Sequence, residues 1–356
     1  MRIAPLDKGK DVDAQRSDCH DTAHVLSRRF FATASGLLAG SALASGWSTA
    51  TRAWCSPLEE PAAQLLDEIP IIDTHIHLFD GTRPQGAPYA GPGGNSPIVS
   101  LPPDYRRLAL PLGIVGAIKI EASPWIEDNL WALQVAEQDP MILGVIGNLQ
   151  PDKPEFAEYL ERFRKNSLWR GIRYGNLWGY NLSQQVDNPV FVDGIKRLAA
   201  ADLVLDSANP DLSLLQAILR LSDRVAELRI VIDHLPAIEP ASSELAEYER
   251  LLAELQQRPG VYMKLSSVIH RVAGVVSTEL SAHRDRIDSL MGIFGEDRVI
   301  FGSDWPNSDG VTSLNSIVAL ARQYLATQPL RVAEKLLWRN SLAAYHWTPR
   351  AENQPR

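Results

Sequence analysis

The chain has few cysteines, no excess of positive charge and no long apolar run. Its 356 residues include only Cys19 and Cys55, too few for a disulfide framework or a cysteine-based metal site. The formal net charge is −8, which argues against a nucleic-acid or anionic-membrane partner, because both favour a basic face. No segment after residue 53 is long and apolar enough to form a stable membrane span. With 45% apolar and 22% charged residues, the composition is that of an ordinary globular protein.

The N-terminal segment has the pattern of a targeting signal. Ser-Arg-Arg-Phe-Phe at 27–31 precedes a weakly apolar run at 32–47 that is rich in Ala, Gly and Ser. This order is typical of a signal peptide, and the paired arginines resemble the twin-arginine export signal. We expect 1–53 to be a signal peptide with a short linker, read by the twin-arginine machinery for export to a bacterial periplasm. The alternative is a short amphipathic helix that contains an arginine pair by chance.

The rest of the chain, 54–356, is expected to form one domain in which strands and helices alternate. Eight short apolar runs predict strands at 70–78, 114–122, 141–149, 169–174, 203–206, 229–234, 261–266 and 299–304. Helical spacing occurs between them at 128–138, 155–163, 190–200, 212–221, 244–255 and 286–294. This alternation favours a parallel α/β fold, a (β/α)8 TIM barrel. An open doubly wound sheet is the alternative, but no Gly-x-Gly-x-x-Gly follows the first strand. The segments 80–104 and 268–280 are candidate lids.

Polar residues stand at the predicted strand ends, where a barrel carries its chemistry. His75 and His77 are two residues apart on the first strand, so their side chains point the same way and can bind one metal ion. His234 ends the sixth strand and Asp304 ends the eighth. Taken alone, His234 is more often a hydrogen-bonded core residue, and Asp304 can be a helix cap. Their joint occurrence on these strands favours an active site.

These motifs resemble the amidohydrolase superfamily, in particular the amidohydrolase-related branch that includes sugar lactonases and 2-pyrone-4,6-dicarboxylate lactonase. The matching segments are Ile-Asp-Thr-His-Ile-His at 72–77, Trp-Arg-Gly-Ile-Arg at 169–173, Ile-Asp-His-Leu at 232–235, Phe-Gly-Ser-Asp-Trp-Pro at 301–306 and Glu-Lys-Leu-Leu-Trp-Arg-Asn at 334–340. The lysine that many members carbamylate on strand four is absent, with Arg173 nearby, and strand five ends in Asp206-Ser207. The resemblance therefore implies at most one divalent ion, with zinc expected.

The expected ligands of that ion are His75 and His77 with Glu121 or Asp304. Some members of the branch work without a metal, so the requirement for one stays open. The resemblance implies a hydrolase that opens a lactone or a related cyclic ester or amide. Asp304 is the expected general base and His234 a second catalytic residue.

The expected partner is a small lactone or carboxylated ring. Arg173 is suited to binding a substrate carboxylate, although a structural ion pair is its alternative role. Further pocket candidates are Tyr174, Trp305, His270, Trp125, Trp178 and Arg271. Two other functions stay open, a decarboxylase of the same superfamily and a non-catalytic periplasmic binding protein on the same barrel.

Overall fold

The computed structural model describes residues 65–88 and 99–356. The expected signal peptide, its linker and both cysteines lie outside these residues, so the expectation of export stays a prediction. Within the described part of the chain, no helix is both long enough and apolar enough to cross a membrane.

Eight parallel strands form one sheet in which each strand pairs with the next along the chain. They are β1 Ile71–Ile76, β2 Ile114–Lys119, β3 Ile142–Gly147, β4 Trp169–Arg173, β5 Val204–Asp206, β6 Ile230–Ile232, β7 Val261–Leu265 and β8 Val299–Phe301. Every residue of β1 and β3 is buried, as expected for strands that are covered on both faces. The predicted (β/α)8 barrel is confirmed.

Contacts between β1 and the end of β8 close the sheet into a barrel. The Thr74 hydroxyl donates to the Phe301 carbonyl at 2.6 Å, and the Asp304 amide donates to the His75 carbonyl at 2.8 Å. The His77 amide donates to the carbonyl of Trp305 at 2.7 Å. These hydrogen bonds bring the chain after β1 and the chain after β8 side by side.

Helices follow the strands and cover the outside of the barrel. They are α1 Pro102–Ala109, α2 Asp128–Gln138, α3 Phe156–Phe163, α4 Pro189–Ala200, α5 Leu212–Arg224, α6 Leu245–Gln256, α7 Arg284–Phe294 and α8 Leu314–Leu325. A single helical turn at Leu182–Gln185 precedes α4, and three short segments end the fold at Leu330–Glu334, Lys335–Arg339 and Asn340–Tyr345. Side chains cap several of these helices: Asp211 accepts the Leu214 amide of α5 at 2.8 Å, which satisfies a donor that the helix leaves open.

One glycine allows two barrel strands to approach closely. A Cβ atom on Gly171 of β4 would lie 2.1 Å from the Val204 carbonyl oxygen of β5. Any larger residue would therefore push β4 and β5 apart, just below the position from which Arg173 enters the barrel.

The two predicted insertions lie after strands, at the end of the barrel that carries chemistry. In the first, Phe79–Asp80 pairs with Val99–Ser100, and α1 begins at Pro102, earlier than the loop predicted to residue 104. Proline is favoured in the first helical turn, which explains this boundary. In the second, Arg271–Val272 and Val275–Val276 form a small hairpin.

Seven of the eight predicted strands end one to three residues earlier than expected, and for two of them the reason is local backbone geometry. The predictions ran through His234 and Asp304, but β6 ends at Ile232 and β8 at Phe301. His234 has φ 55° and Asp304 has φ 63°, a left-handed conformation that cannot continue a strand. Both residues therefore sit at sharp turns immediately above the barrel, a strained conformation that often accompanies a functional role.

Candidate active site

His75, His77 and Asp304 meet at the mouth of the barrel in what we call the outer cluster. The two imidazole Nε2 atoms are 3.1 Å apart. Asp304 Oδ1 lies 3.2 Å from Nε2 of His77 and 3.6 Å from Nε2 of His75. The prediction that the two histidines point the same way is confirmed by this geometry, and the closing contacts between β1 and the end of β8 bring the aspartate to them.

The donor atoms of the outer cluster suit a single divalent cation. His77 Nδ1 lies 3.3 Å from the Ile120 carbonyl, which can only accept, so the ring proton is assigned to Nδ1 and Nε2 is bare. In this tautomer, Nε2 of His77 can bind a cation together with Oδ1 of Asp304, 3.2 Å away. Separations of 3.1–3.6 Å match the roughly 3.3 Å expected between ligands of a tetrahedral zinc ion. The residues present therefore fit one metal ion.

His234 stands beside the outer cluster with a defined hydrogen-bonding pattern. Its Nε2 is 4.0 Å from Asp304 Oδ2. On the other side of the ring, the hydroxyls of Ser266 and Ser267 lie 2.9 and 3.0 Å from Nδ1. Ser266 Oγ also accepts the His234 amide at 3.2 Å, which leaves its own O–H to donate to Nδ1. The ring proton is then on Nε2, directed toward Asp304. Burial lowers the pKa of His234, which favours this neutral form.

The Asp304 side chain takes part in the cluster and does not cap a helix. The helical turn that follows it, Asn307–Gly310, has no side-chain cap, and α8 is capped by Ser313 instead. Asp304 Oδ1 accepts from Asn307 Nδ2 at 3.2 Å. Burial raises the pKa of the Asp304 carboxyl, but the three neighbouring histidines outweigh burial and hold this pKa below its usual range. Asp304 is therefore a carboxylate at neutral pH.

Arg173 is largely occupied by ion pairs. Its Nε donates to Asp233 Oδ2 at 3.0 Å, and Nη1 lies 3.8 Å from Glu121 Oε2. The structural ion pair, which the sequence left open, is therefore present. Glu121 in turn accepts from the Trp178 indole at 2.6 Å and from the Ser123 amide at 2.8 Å. Among the described residues, the groups spaced to hold a metal do not include Glu121.

Beneath the outer cluster lies a second set of charged groups that the sequence reasoning missed, which we call the inner cluster: Asp206, Asp233, Lys264 and Nδ1 of His75. Lys264 Nζ lies 2.5 Å from Asp206 Oδ2 and 2.9 Å from Asp233 Oδ1. All four residues are fully buried. A signal was present, because Lys264 is a charged residue in the middle of the otherwise apolar strand Val-Tyr-Met-Lys-Leu.

Burial lowers the pKa of His75 well below its usual range, despite the opposing effect of Asp233. For Asp233, burial raises the pKa, but Lys264, His75 and Arg173 outweigh it and bring the pKa well below normal. A neutral His75 whose Nδ1 lies 3.5 Å from the charged Asp233 resembles the usual pairing of a metal-ligating histidine with a carboxylate.

A cavity of about 490 Å³ opens above these clusters, a volume suited to a small ring compound. Both polar and apolar residues line it. The polar ones are His77, Glu121, Arg173, Asn209, His234, Ser267, Asp304 and Asn307, and the apolar ones are Phe79, Ala122, Leu177, Pro210, Ala237 and Ile238.

Three expected substrate-binding residues do not line this cavity. Tyr174 follows Arg173 and points the opposite way, so its ring stacks on Tyr180 at 5.3 Å. The Trp305 ring packs on Tyr105 at 5.0 Å, within the core. His270 borders an adjoining cavity of about 90 Å³ whose wall shares Ser267, Asp304 and Asn307 with the first. The positions of Tyr174 and Trp305 give no support to a substrate-binding role, and that of His270 stays a prediction.

The three remaining pocket candidates lie farther from the reacting groups. Trp178 acts through its hydrogen bond to Glu121. Trp125 is 38% exposed, and Arg271 lies on the exposed hairpin after β7, where it donates to the Gly274 carbonyl.

Fold and site together define a class of protein. An eight-stranded parallel barrel with a His-x-His pair at strand one, a histidine after strand six and an aspartate after strand eight is an amidohydrolase-type enzyme. The model of the Amidohydrolase family matches residues 72–347. The chain belongs to this family and is an amidohydrolase-related enzyme.

Known proteins similar to the chain include two enzymes named L-fucono-1,5-lactonase. That of Burkholderia ambifaria is 28% identical over 213 residues, 58% of this chain and 70% of the relative. That of Burkholderia multivorans is 25% identical over 296 residues, 78% of this chain and 96% of the relative. A crystal structure of a Burkholderia multivorans amidohydrolase with bound zinc has the same fold, with a TM-score of 0.69 and 23% identity. This alignment covers 78% of our chain and all of that one.

Proposed function

We propose that this chain is a hydrolase that opens a neutral, hydroxylated lactone, with Asp304 as the general base. The observation that carries the proposal is the Asp304 carboxylate at the cavity, 3.2 Å from His77 Nε2 and 4.0 Å from His234 Nε2. The name shared by the two relatives, L-fucono-1,5-lactonase, supports a lactone as the substrate.

The charged and polar groups account for each proton in the reaction. Asp304 takes a proton from water as the water oxygen bonds to the lactone carbonyl carbon. The Nε2–H of His234 donates to the oxyanion that forms on the carbonyl oxygen. When the bond between the carbonyl carbon and the ring oxygen breaks, Asp304 returns its proton to that oxygen. The product is an open-chain hydroxy acid, and Asp304 is again a carboxylate.

His75 Nε2, His77 Nε2 and Asp304 Oδ1 would hold a divalent ion, for which zinc is our proposal. A bound ion supplies a Lewis acid that lowers the pKa of water and polarises a carbonyl. The second carboxylate oxygen of Asp304, Oδ2, is the one nearer His234, and it stays free to receive the proton.

The charges around the cavity favour a neutral substrate over a carboxylated one. Apart from the imidazoles, Arg173 is the only cationic side chain among the described residues of the cavity wall. It is already paired with Asp233, while Glu121 and Asp304 add two carboxylates to the same wall. A substrate carboxylate would meet these two carboxylates without an unpaired cationic side chain in the wall, whereas substrate hydroxyl groups can donate to Glu121.

The test is a lactone screen followed by one substitution. The mature protein should release acid from neutral sugar lactones faster than from carboxylated lactones. On the best substrate, Asp304→Asn should lower the turnover number by at least ~10², the usual contribution of a positioned general base. The KM should change much less, since a base acts on the transition state.

Asp309→Asn is the matched control, because it makes the same change on the same loop at an exposed residue outside the cavity wall. A folded Asp304→Asn enzyme that keeps most of its turnover would contradict the role of Asp304. Release of CO2 without ring opening would indicate a decarboxylase, and saturable binding without turnover a binding protein.

We further propose, from the pattern at 27–31, that the chain is exported by the twin-arginine machinery. Replacing the pair by Arg28→Lys with Arg29→Lys should leave the protein unprocessed in the cytoplasm, because the arginines are read as an address. Cell fractionation checks this, and normal secretion of the double variant would refute it.

A further inference from the structure

Two residues of the inner cluster belong to a second group that could hold a cation, yet the chain supplies a cation of its own. His75 and Asp233, together with His234, have ligand atoms close enough to share one ion. However, Asp233 Oδ1 already lies 2.9 Å from Lys264 Nζ. The same ammonium is 3.3 Å from His75 Nδ1 and 2.5 Å from Asp206 Oδ2. Two carboxylates, Asp206 on β5 and Asp233 just after β6, and the imidazole of His75 on β1 thus surround one ammonium group.

The two carboxylates beside this ammonium are held by further contacts. Lys264 is fully buried, and its neighbour Asp206 is fixed from the far side by the Tyr345 hydroxyl, 3.1 Å from each carboxylate oxygen. Asp233 is fixed by Arg173 at 3.0 Å. Lys264 and Arg173 thus already supply two cations beside Asp206 and Asp233, and burial raises the pKa of Asp206 to about 7 despite the nearby Lys264.

We propose that Lys264 is a positioning residue whose ammonium replaces a second metal ion, limits the site to one metal and holds Asp233 against His75. This inference rests on the proposed function only for its effect on turnover. Because Asp233 faces Nδ1 of His75 at 3.5 Å, its position determines how His75 presents Nε2 to the outer cluster. Loss of Lys264 should therefore affect the catalytic step indirectly, because it displaces Asp233 and, through Asp233, His75.

The experiment is chemical rescue of Lys264→Ala. This substitution removes a fragment with the size and charge of propylammonium, and folding in its presence should restore the missing cation. We expect propylammonium to raise the melting temperature of Lys264→Ala by about 3 °C or more, through binding to the folded state. 1-Propanol, which has the same length without the charge, should give little rescue. Lys119→Ala is the matched control, because the Lys119 ammonium forms no hydrogen bond or salt bridge with the described residues, and propylammonium should not stabilise this variant.

Three measurements can overturn the proposal, and two of them need no substrate. Absence of rescue by propylammonium, or equal rescue by 1-propanol, would show that a cation is not what the inner cluster requires. Two tightly bound zinc ions per wild-type chain, measured by elemental analysis, would show that Lys264 does not replace a metal.

The third measurement uses Lys264→Met, which preserves the side-chain volume and serves also if Lys264→Ala does not fold. The turnover number of Lys264→Met should fall at least ~10-fold with little change in KM. A wild-type turnover number would refute the positioning role. Failure to find any lactone substrate would leave the first two measurements unaffected.

Discussion

Two lysines lie on barrel strands in this protein, both buried, and their surroundings are opposite. Lys264 on β7 lies within 2.9 Å of two carboxylates. Lys119, the last residue of β2, is 5% exposed and forms no hydrogen bond or salt bridge with the described residues. The carboxylates nearest to it are already engaged: Asp128 pairs with Arg83 at 2.8 Å, and Glu121 accepts from Trp178.

The difference between the two lysines shows that burial alone does not decide whether an ammonium group stabilises or destabilises the fold. Burial lowers the pKa of Lys119 from 10.5 to about 8, although Glu121 and Asp128 oppose the shift. Around Lys264 the fold provides acceptors that compensate the lost hydration. Removing the Lys119 ammonium should therefore stabilise the protein, and removing the Lys264 ammonium should destabilise it.

The largest effect is expected for Lys264→Met. The substitution leaves Asp206 buried beside Tyr345, and Asp233 buried beside Arg173 and His75, without the ammonium that both carboxylates contact. We expect the free energy of unfolding to fall by about 3–5 kcal/mol, the usual cost of removing one partner of a buried ion pair. Urea denaturation followed by circular dichroism measures this. An unchanged midpoint would mean that Lys264 contributes no more to stability than Lys119 does.

A smaller effect of opposite sign is expected for Lys119→Met. At pH 7 the folded wild type carries a poorly solvated ammonium, whereas methionine has none. We expect the free energy of unfolding to rise by about 1–3 kcal/mol, as the lowered pKa implies. Lys196→Met, at an exposed position of α4, is the matched control and should stay within about 0.5 kcal/mol of the wild type.

The increase in stability caused by Lys119→Met should depend on pH. Between pH 8 and 10.5 the unfolded chain keeps a proton on Lys119 that the folded chain has released. Because the unfolded chain binds this extra proton, the free energy of unfolding of the wild type rises by about 1.4 kcal/mol per pH unit over this range. The advantage of Lys119→Met should therefore shrink above pH 8 and vanish near pH 10.5. A constant difference across this range would contradict the lowered pKa.

The sequence allowed the outer cluster to be predicted and left the inner cluster undetected. His75 and His77 share a strand, so strand geometry alone predicts that they point the same way. Asp206 and Lys264 lie on two different strands and Asp233 follows a third, and no local pattern indicates that their side chains meet. A charged residue inside an apolar strand indicates a buried charge, but the same signal is present at Lys119, whose ammonium has no hydrogen-bond or salt-bridge partner in the described part of the chain.

The sequence was also insufficient to predict where the strands end. The apolar runs placed all eight strands correctly in order, because hydrophobic runs report burial on both faces. They did not reveal that the strands end before His234 and Asp304, since apolar patterning carries no information about a left-handed φ. Nor did they distinguish Arg173 as a substrate ligand from Arg173 as an ion pair, because both roles use the same residue at the same strand end.

By itself, the sequence determined the (β/α)8 order of elements and the polar residues at the strand ends, because both follow from patterns within one strand or one helix. The tertiary structure alone decided which of those residues touch, which buried charges find partners and which aromatic rings face the cavity. These depend on closure of the barrel, which brings β1 beside β8 through contacts such as Thr74 to Phe301 and joins residues more than 200 positions apart. Such contacts are fixed by the packing of all eight strands at once, and no short stretch of the chain encodes them.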